Sequence, residues 1–309
     1  VVGAGGELGD SARTTSPGID LGAAGTLLVD VDGVGAAGRV AVGGHVDFGG
    51  TLDTVTSFVP TYGTTFPIAT YGSGSGTFDR LGTTGTQYEA TYGPTQLTIA
   101  VLKASGVTLA ADPPGPTVSG QPVTFTATVA AVPPDTGTPT GSVELFDTGL
   151  SLGTAPLDAS GHATFVVDDL LVGTRHLSAE YLGAPTFGHA TSSTVDRVVQ
   201  KTSTTVALTS TPNPSLAAEE VTFTATVGIV APGSGTPTGD VVFKEGAVVL
   251  GTVPVGASGR AELVLSTLHV GSHDVIAAYS GDSRRGVATS PAVVHTVTGV
   301  AVSSSTSVS

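Results

Sequence analysis

The heptapeptide VTFTATV occurs twice in this chain, at 123–129 and again at 221–227. Four further motifs recur at the same offset of 98 residues: GTPTG at 137 and 235, LGT at 152 and 250, ASG at 159 and 257, and ATS at 190 and 288. A repeat with a fixed period indicates a duplicated structural unit. Each copy is therefore expected to be one folding unit.

The repeats divide the 309 residues into four segments. We predict a β-rich domain at 1–103, a first repeat at 104–200, a second repeat at 201–298 and an extended tail at 299–309. The residues that join the repeats, 198–201, contain neither Gly nor Ser. Because a Gly/Ser linker would be flexible and this connection is not of that type, we expect the two repeats to stack into a stiff rod.

Apolar residues and threonines alternate within VTFTATV, which is the period of a strand with one buried face. In the second copy Val221, Phe223, Ala225 and Val227 are predicted to face inward, and the intervening threonines to face water. A slip of one residue would bury three hydroxyls, so the pattern fixes the face. Seven short strands per repeat, with turn signals about every ten residues, predict an all-β chain with two Greek-key β-sandwiches.

The composition limits the possible partners. Twenty-five acidic against eleven basic side chains give a net charge of -14, which argues against nucleic acid because binding it depends on Lys and Arg. Cys, Met and Trp are absent, so disulfides and thiolate metal sites are excluded. No apolar run reaches the roughly 18 residues of a membrane helix, so we expect no membrane span. Without an initial Met, we expect a processed piece of a longer parent that has already lost any signal peptide.

The repeats resemble the bacterial immunoglobulin-like (Ig-like) repeats of secreted and surface-anchored proteins. The resemblance covers about 195 residues and rests on GTPTG before a V-x-F-type strand, on LGT and ASG, on Ala-x-Tyr followed by Gly-Asp, and on a closing ATS strand. The first copy departs from it at Leu145, where Phe is usual, and after Tyr181, which is followed by LGAP. The resemblance implies two tandem Ig-like sandwiches in a secreted or cell-surface bacterial protein.

The first region resembles the segment near the ends of secreted β-helical and autotransporter-like surface proteins. The resemblance rests on an ordered series of motifs: SPG at 16–18, an alternating strand pair at 42–52, F-x-P at 58–60, G-x-x-F at 63–66 and GTF at 76–78. It implies an all-β domain, either the last coils and cap of a β-helix or a sandwich. The earlier coils of such a helix would lie outside these residues.

Two short motifs match catalytic or nucleotide-binding patterns. GLSLG at 149–153 fits G-x-S-x-G, but that site needs a helix after the serine, and the aligned stretch of the second copy reads AVVLG. GVGAAG at 33–38 fits G-x-G-x-x-G, but strand-like RVAVGGHV follows it instead of a helix. We interpret both as chance matches and predict that the chain is not an enzyme.

Metal binding is predicted at most for calcium. The seven histidines show no H-x-H or H-E-x-x-H pattern, and His176 and His273, in neighbouring positions of the same strand of the two copies, are predicted to lie on the surface. Loop carboxylates suit Ca²⁺, which takes oxygen ligands. The weak calcium candidates are Asp30 with Asp32, Asp168 with Asp169, and Asp282. The alternative is that these carboxylates are simply solvated, and no other cofactor is expected.

The tail, GVAVSSSTSVS, falls at the offset where a repeat would open. Val300, Val302 and Val308 share one face of an extended chain. We therefore predict a subunit contact in which the tail completes a sheet of a neighbouring copy or of its own chain. The alternative is an incidental packing contact.

The predicted function is mechanical: a non-catalytic extracellular stalk, or a subunit of a bacterial surface fibre or adhesin that assembles into filaments by strand addition. Its partners would be other copies of itself or neighbouring domains of a longer parent. One alternative is an adhesion module that binds a cell-surface glycan or host protein, for which the exposed aromatics would have to come from Tyr62, Tyr71, Tyr88 and Tyr92. The other is an accessory part of a secreted glycan-active enzyme, whose paired carboxylates would lie elsewhere.

Overall fold

The computed structural model describes residues 13–14, 18–20, 26–31, 40–56, 60–81 and 87–299. Every regular element within these ranges is a β-strand, so the all-β prediction is confirmed. Chain contacts group the molecule into two compact units, and the first repeat contributes residues to both of them. The first unit comprises 1–110, 126–165 and 178–195, and the second unit comprises 111–125, 166–177 and 196–309.

The N-terminal region forms two sheets. Its described strands are β1 (Arg13–Thr14), β2 (Gly18–Asp20), β3 (Thr26–Val31), β4 (Val40–Phe48), β5 (Thr51–Thr56), β6 (Thr65–Gly76), β7 (Arg80–Leu81), β8 (Tyr88–Tyr92) and β9 (Gln96–Val101). One sheet has the order β1-β4-β6-β9-β8, with β2 also on β4, and the other has the order β3-β5-β7. The described pairs among β1 to β7 are parallel, whereas β9 is antiparallel to β6 and β8. From β2 to β7 the chain thus alternates between two parallel ladders.

The core of this region is one apolar cluster to which strands of both sheets contribute. Its aromatic centre is Phe48, whose ring lies 5.3 Å from Tyr71, 5.6 Å from Phe78 and 5.2 Å from Tyr92. Two tyrosine hydroxyls at this centre have polar partners: Tyr71 donates to the Gly93 carbonyl at 2.8 Å, and the Tyr92 oxygen accepts from the Phe78 amide at 2.8 Å. Tilted and edge-on ring pairs of this kind add to the stabilisation from burial.

The first repeat has nine described strands: β10 (Ser105–Asp112), β11 (Thr117–Val118), β12 (Val123–Ala131), β13 (Ser142–Asp147), β14 (Leu150–Pro156), β15 (His162–Val167), β16 (Gly173–Tyr181), β17 (Ala190–Thr191) and β18 (Val195–Gln200). They form a sheet of order β10-β12-β15 and a sheet of order β11-β18-β16-β13-β14, with β17 on β16.

The second repeat has the same topology. Its strands are β19 (Thr204–Thr211), β20 (Ser215–Leu216), β21 (Val221–Ile229), β22 (Asp240–Glu245), β23 (Val248–Pro254), β24 (Arg260–Leu265), β25 (Gly271–Tyr279), β26 (Ala288–Thr289) and β27 (Val293–Thr298). The sheet orders are β19-β21-β24 and β20-β27-β25-β22-β23, with β26 on β25. The seven predicted strands are present, and the two-residue strands β20 and β26 are additional.

The heptapeptide lies in the central strand of the three-stranded sheet in each repeat. In β21 the four predicted inward side chains are no more than 5% exposed, and in β12 their counterparts are no more than 2% exposed. The threonines between them are half-buried or exposed. The predicted face of this strand is therefore confirmed in both copies.

The first two strands of each repeat belong to different sheets. In the second repeat β19 pairs antiparallel with β21, and β20 then pairs in parallel with β27, Ser215 opposite Val297. Pro212 and Pro214 separate β19 from β20, and because proline lacks an amide hydrogen it ends a ladder. This change of sheet makes the two-residue strand β20 the edge strand beside β27.

Candidate functional site

The calcium candidates do not converge in the described residues. Asp30 lies in β3, and Asp32 lies outside the described residues. Asp168 and Asp169 are exposed in the segment that follows β15. Within the described ranges, no group of three or more His, Asp or Glu side chains is placed to hold a metal ion. Calcium binding by the Asp168–Asp169 pair stays a prediction, which titration calorimetry would test.

Asp282 is the candidate with a defined environment, in the loop after β25. Its Oδ1 accepts hydrogen bonds from the amides of Arg284 and Arg285, both at 2.7 Å. Its Oδ2 accepts from the amide and the hydroxyl of Thr238, at 3.0 and 2.8 Å. A calcium ligand directs its oxygen lone pairs at the cation, whereas these are directed at N–H and O–H groups. We therefore interpret Asp282 as the group that fixes this loop.

The electrostatics agree with that structural role. Burial would raise the pKa of Asp282, but the hydrogen bonds from Thr238, Arg284 and Arg285 outweigh burial and lower the pKa to about 2. Burial, and then the nearby Asp282 charge, raise the pKa of Tyr279 to about 12. The Tyr279 hydroxyl donates to the Thr238 carbonyl at 2.5 Å and lies 3.3 Å from Asp282 Oδ2. The carboxylate is thus a permanent anion and the phenol a permanent donor near neutral pH.

The first repeat keeps only part of this network. Tyr181, the counterpart of Tyr279, donates its hydroxyl to the Thr140 carbonyl at 2.6 Å. Ala184 and Phe187 stand where the second repeat has Asp282 and Arg285. Both repeats therefore share the tyrosine hydrogen bond, whereas the carboxylate occurs in the second repeat alone, in agreement with the predicted departure of the first copy in this loop.

Two histidines predicted to lie on the surface differ in their environment. The His176 side chain is half exposed, which agrees with its predicted surface position. Its Nδ1 lies 2.6 Å from Asp196 Oδ1. The His273 side chain is only 12% exposed, so its predicted surface position is wrong. Its Nδ1 lies 3.0 Å from Glu245, and its Nε2 donates to the His269 carbonyl at 2.7 Å. These contacts, the carbonyl first, raise the pKa of His273 against the opposing effect of burial.

GLSLG does not form a nucleophile site. Ser151 lies within β14, and its hydroxyl donates to Glu144 Oε1 at 2.5 Å. The serine stands in a strand and not at the strand-to-helix turn that this motif needs, which agrees with the interpretation of GLSLG as a chance match. The glycine-rich motif at 33–38 lies outside the described residues.

The tyrosines of the N-terminal region do not form an exposed platform. Tyr71 and Tyr88 are each 5% exposed, and Tyr92 packs against the aromatic centre of the core. Tyr62 is 42% exposed, and the Lys103 ammonium lies 4.8 Å from its ring centroid. Most of the tyrosine side chains that glycan binding would need on the surface are therefore packed in or against the core.

Sequence reasoning missed a polar cluster on the face of β4 and β6. Because these strands are parallel, with His45 opposite Ser73 and Asp47 opposite Ser75, four polar side chains meet. His45 Nδ1 lies 2.7 Å from Ser73 Oγ, and Nε2 lies 3.0 Å from both Asp47 and Ser75. Hydrogen bonds from Ser75 and then His45 lower the pKa of Asp47. With about half of the His45 and Asp47 side chains exposed, we interpret the cluster as a solvated ladder.

The connection into the first repeat, 102–104 between β9 and β10, is hydrogen-bonded to that repeat. The Lys103 amide donates to the Thr186 carbonyl at 3.0 Å, and the Lys103 carbonyl accepts from the Gly188 amide at 3.0 Å. The Lys103 ammonium donates to the Thr136 carbonyl at 2.7 Å. Both backbone groups of the connecting residue are therefore occupied, which opposes independent movement of the connection.

The connection into the second repeat, 201–203 between β18 and β19, has the same pattern. The Thr202 amide donates to the Arg284 carbonyl at 3.0 Å, and its carbonyl accepts from the Gly286 amide at 2.8 Å. The Lys201 ammonium donates to the Asp282 carbonyl at 2.5 Å. Thr202 itself is 1% exposed. The connecting residues are built into the repeat that follows them.

The predicted tail contact falls outside the part of the chain that the structure describes. Its residues Val300, Val302 and Val308 all lie there.

In the described part of the chain, no helix has the length and apolarity needed to cross a membrane.

Several solved structures resemble this one. The fibronectin(III)-like modules of Clostridium thermocellum CbhA share 19% identity, with a TM-score of 0.24 over 62% of this chain and 95% of theirs. The Yersinia pseudotuberculosis adhesin InvE shares 16% identity, with a TM-score of 0.32 over 62% of this chain and 58% of its own. The D0-D1 domain of intimin shares 18% identity, with a TM-score of 0.24 over 61% and 97%. At these identities and TM-scores none of the three likenesses identifies the fold or the role of this chain. No curated protein matches the chain.

A family model, described as bacterial Ig-like domain (group 3), matches residues 107–200 and 208–298, which together make up more than half of the chain. The two matches coincide with the two sandwiches. The predicted Ig-like repeats are thereby confirmed, whereas the resemblance of the N-terminal region to β-helical and autotransporter-like proteins stays a prediction. The chain belongs to the bacterial Ig-like domain family of group 3 and carries two tandem copies of its domain.

Proposed function

We propose that this chain is a non-catalytic structural segment of a secreted or surface-attached bacterial protein, serving as a stalk or spacer. The observation that carries the proposal is the pair of three-residue connections, 102–104 and 201–203, whose central residues have both backbone groups hydrogen-bonded to the next repeat. A spacer must transmit force from one domain to the next without slack, and a connection of this kind leaves little free chain to extend.

The distribution of polar groups supports the same function. The carboxylate of Asp282, the hydroxyl of Tyr279 and the ring of His273 each bond to loop or strand groups of their own repeat. A catalytic group must be free to reach a substrate. These side chains instead form hydrogen bonds that hold the loops and strands of their own repeat, which favours a structural over an enzymatic role.

We further propose that the N-terminal region is the end of a β-helix. The supporting observation is the parallel register Gly18–His45–Ser73, in which corresponding residues recur after 27 and 28 residues. Strand β9 of the antiparallel hairpin β8–β9 then pairs with β6, and this antiparallel pair ends the parallel ladder. In this proposal the region joins the two Ig-like domains to longer coils of a parent protein.

We also propose that copies of the chain assemble into filaments by strand addition. The feature that supports this part of the proposal is an exposed edge strand. Among the described strands, β23 ends its sheet and has a partner on one side only. Its first residues, Val248 and Val249, are 63% and 56% exposed. An exposed apolar edge is a template for another strand, such as the predicted tail strand with Val300 and Val302.

Single-molecule force spectroscopy on the full chain tests the stalk. We expect two unfolding events of similar size, each releasing on the order of 300 Å of chain, because each repeat folds as one unit. Gradual extension at low force without discrete events would overturn the proposal.

Electron microscopy and polysaccharide assays of the same sample separate the remaining possibilities. Filaments would support strand addition, and discrete particles would restrict the proposal to a spacer. Saturable glycan binding would instead favour the adhesion module, and release of reducing sugar would favour the enzyme.

A further inference from the structure

A turn of the first repeat contacts a loop of the second repeat within the second compact unit. The turn spans Val118–Gln121 and is closed by a hydrogen bond from the Gln121 amide to the Val118 carbonyl at 3.1 Å. The loop is 232–235, before β22. The Ser234 hydroxyl donates to the Gly120 carbonyl at 2.6 Å, and the Thr202 hydroxyl donates to the Ser119 carbonyl. Two carbonyls of the turn are therefore satisfied by the following repeat.

Gly120 is the point of closest approach in this contact. Its φ is +78°, and a Cβ at this position would lie 2.5 Å from the Ser234 carbonyl oxygen and 2.7 Å from the Ser234 nitrogen. Such distances to main-chain atoms are not relieved by rotation of a side chain. The Arg285 guanidinium also donates to the Ser234 carbonyl at 3.2 Å, which holds the loop in place.

The same turn in the second repeat shows that glycine is not required by the turn itself. Ala218 occupies the equivalent position with a φ of +66°, and the Glu219 amide donates to the Leu216 carbonyl at 3.1 Å. Alanine thus adopts the left-handed conformation here when the position is exposed to solvent. What distinguishes Gly120 is the neighbouring main chain of Ser234, not its own dihedral angle.

We propose that Gly120 is the residue that permits the second Ig-like domain to dock directly on the first, and that a single methyl group at this position opens the contact. The surface that the first repeat offers is the pair of carbonyls at Ser119 and Gly120. The partner that fits it is a loop with a hydroxyl donor and a main chain in van der Waals contact with a glycine Cα. This inference does not depend on the proposed function.

A buried thiol tests the proposal, because the full chain contains no cysteine. Ser119 is 3% exposed, so Ser119→Cys places a single thiol within the contact. We expect slow labelling of this variant by a thiol reagent, and labelling about tenfold faster when Gly120→Ala is added, since the extra methyl overpacks the site. Equal labelling rates with and without Gly120→Ala would overturn the proposal.

Gly115→Ala is the matched control. Its φ of +83° is similar to that of Gly120, but a Cβ at Gly115 meets no atom within 4 Å. It therefore imposes the same backbone strain without the clash, and we expect its labelling rate to stay within about twofold of the parent. If Gly115→Ala accelerates labelling as much as Gly120→Ala, strain of the chain is the cause and the proposal is wrong.

Spin labels distinguish opening of the contact from distortion of the turn alone. Leu171→Cys and Val248→Cys place labels at positions that are 53% and 63% exposed, one in each repeat. We expect a narrow distance distribution that broadens with Gly120→Ala and is unchanged with Gly115→Ala. A narrow, unshifted distribution in Gly120→Ala, in protein whose circular dichroism shows intact folding, would overturn the proposal even if labelling is faster.

Discussion

Arg197 and His295 occupy the same position in β18 and β27, 98 residues apart, and their side chains are 3% and 0% exposed. Arg197 donates to the Gly115 and Pro113 carbonyls at 2.7 and 2.6 Å. His295 Nε2 lies 3.0 Å from the Ser215 hydroxyl. The same buried site thus holds a permanent cation in one repeat and a titratable ring in the other, so the two repeats should respond differently to acid.

Acidification should destabilise the second repeat through His295. Burial, and then nearby His273, lower its pKa below the ordinary value of 6.5. Below pH 6.5 the unfolded chain therefore binds a proton that the native ring resists, and the free energy of unfolding falls as the pH drops. His295→Gln should flatten this dependence between about pH 7 and 5, measured by hydrogen exchange of the β27 amides. The exposed His189→Gln is the control, and an unchanged slope in His295→Gln would contradict the assignment.

His273 acts with the opposite sign. Its raised pKa means that its contribution to stability is complete below 6.5 and is lost as the pH rises through the folded value. His273→Gln should therefore lower the free energy of unfolding of the second repeat more at acidic than at alkaline pH. The same exchange measurement checks this, and a loss that grows with pH would refute it.

Asp282→Asn should destabilise the second repeat by about 2 kcal/mol, because charge-assisted hydrogen bonds to a buried carboxylate are lost. The Asp282 side chain is 9% exposed, whereas Asp274 is exposed and serves as the matched control, Asp274→Asn. Since the pKa of Asp282 is lowered to about 2, its contribution is present above 3.8 and is lost as the pH falls towards 2. Thermal unfolding of both variants at neutral pH and in acid measures the difference.

Tyr279→Phe should cost more stability than Tyr181→Phe. Both variants lose a hydrogen bond to a threonine carbonyl, which contributes about 1 kcal/mol. Tyr279 also lies 3.3 Å from the Asp282 carboxylate, and its removal leaves that charge with one donor fewer. Calorimetry of the two variants gives the comparison, and equal losses would show that the carboxylate adds nothing to this hydroxyl.

Phe223→Ala should destabilise the second repeat by about 3–5 kcal/mol, because Phe223 is fully buried in its core. Thr226→Ala, on the exposed face of the same strand, should change stability by less than about 0.5 kcal/mol. Denaturant unfolding of both variants measures the two values. Similar losses for the two would contradict the assigned faces of β21.

Residue alternation was sufficient to predict the face of β21, because one register buries Phe223 and the other buries threonines. It could also have identified His295, which has the same parity as the buried Val297 in VVHTVT. The two-residue strand β20 gives no periodic signal. The His45 cluster depends on a register shift between Val42 and His45, which displaces the pairing of β4 with β6.

The role of Gly120 is also absent from any local pattern. The turn around it is compatible with alanine, as Ala218 shows. The atom that excludes a side chain belongs to Ser234, 114 residues away. Because this constraint on Gly120 comes from a tertiary contact, it could not be predicted from a single sequence.

Among the described residues, the buried cluster of the second repeat comprises side chains between Val206 and Val293, all within its own copy. Recombination between the two similar stretches would therefore add or delete a copy of this kind without breaking its hydrophobic core. We expect natural variants of this protein to differ in length by whole numbers of Ig-like domains. The adaptation needed at each new joint would be small, of the order of one methyl group on a turn.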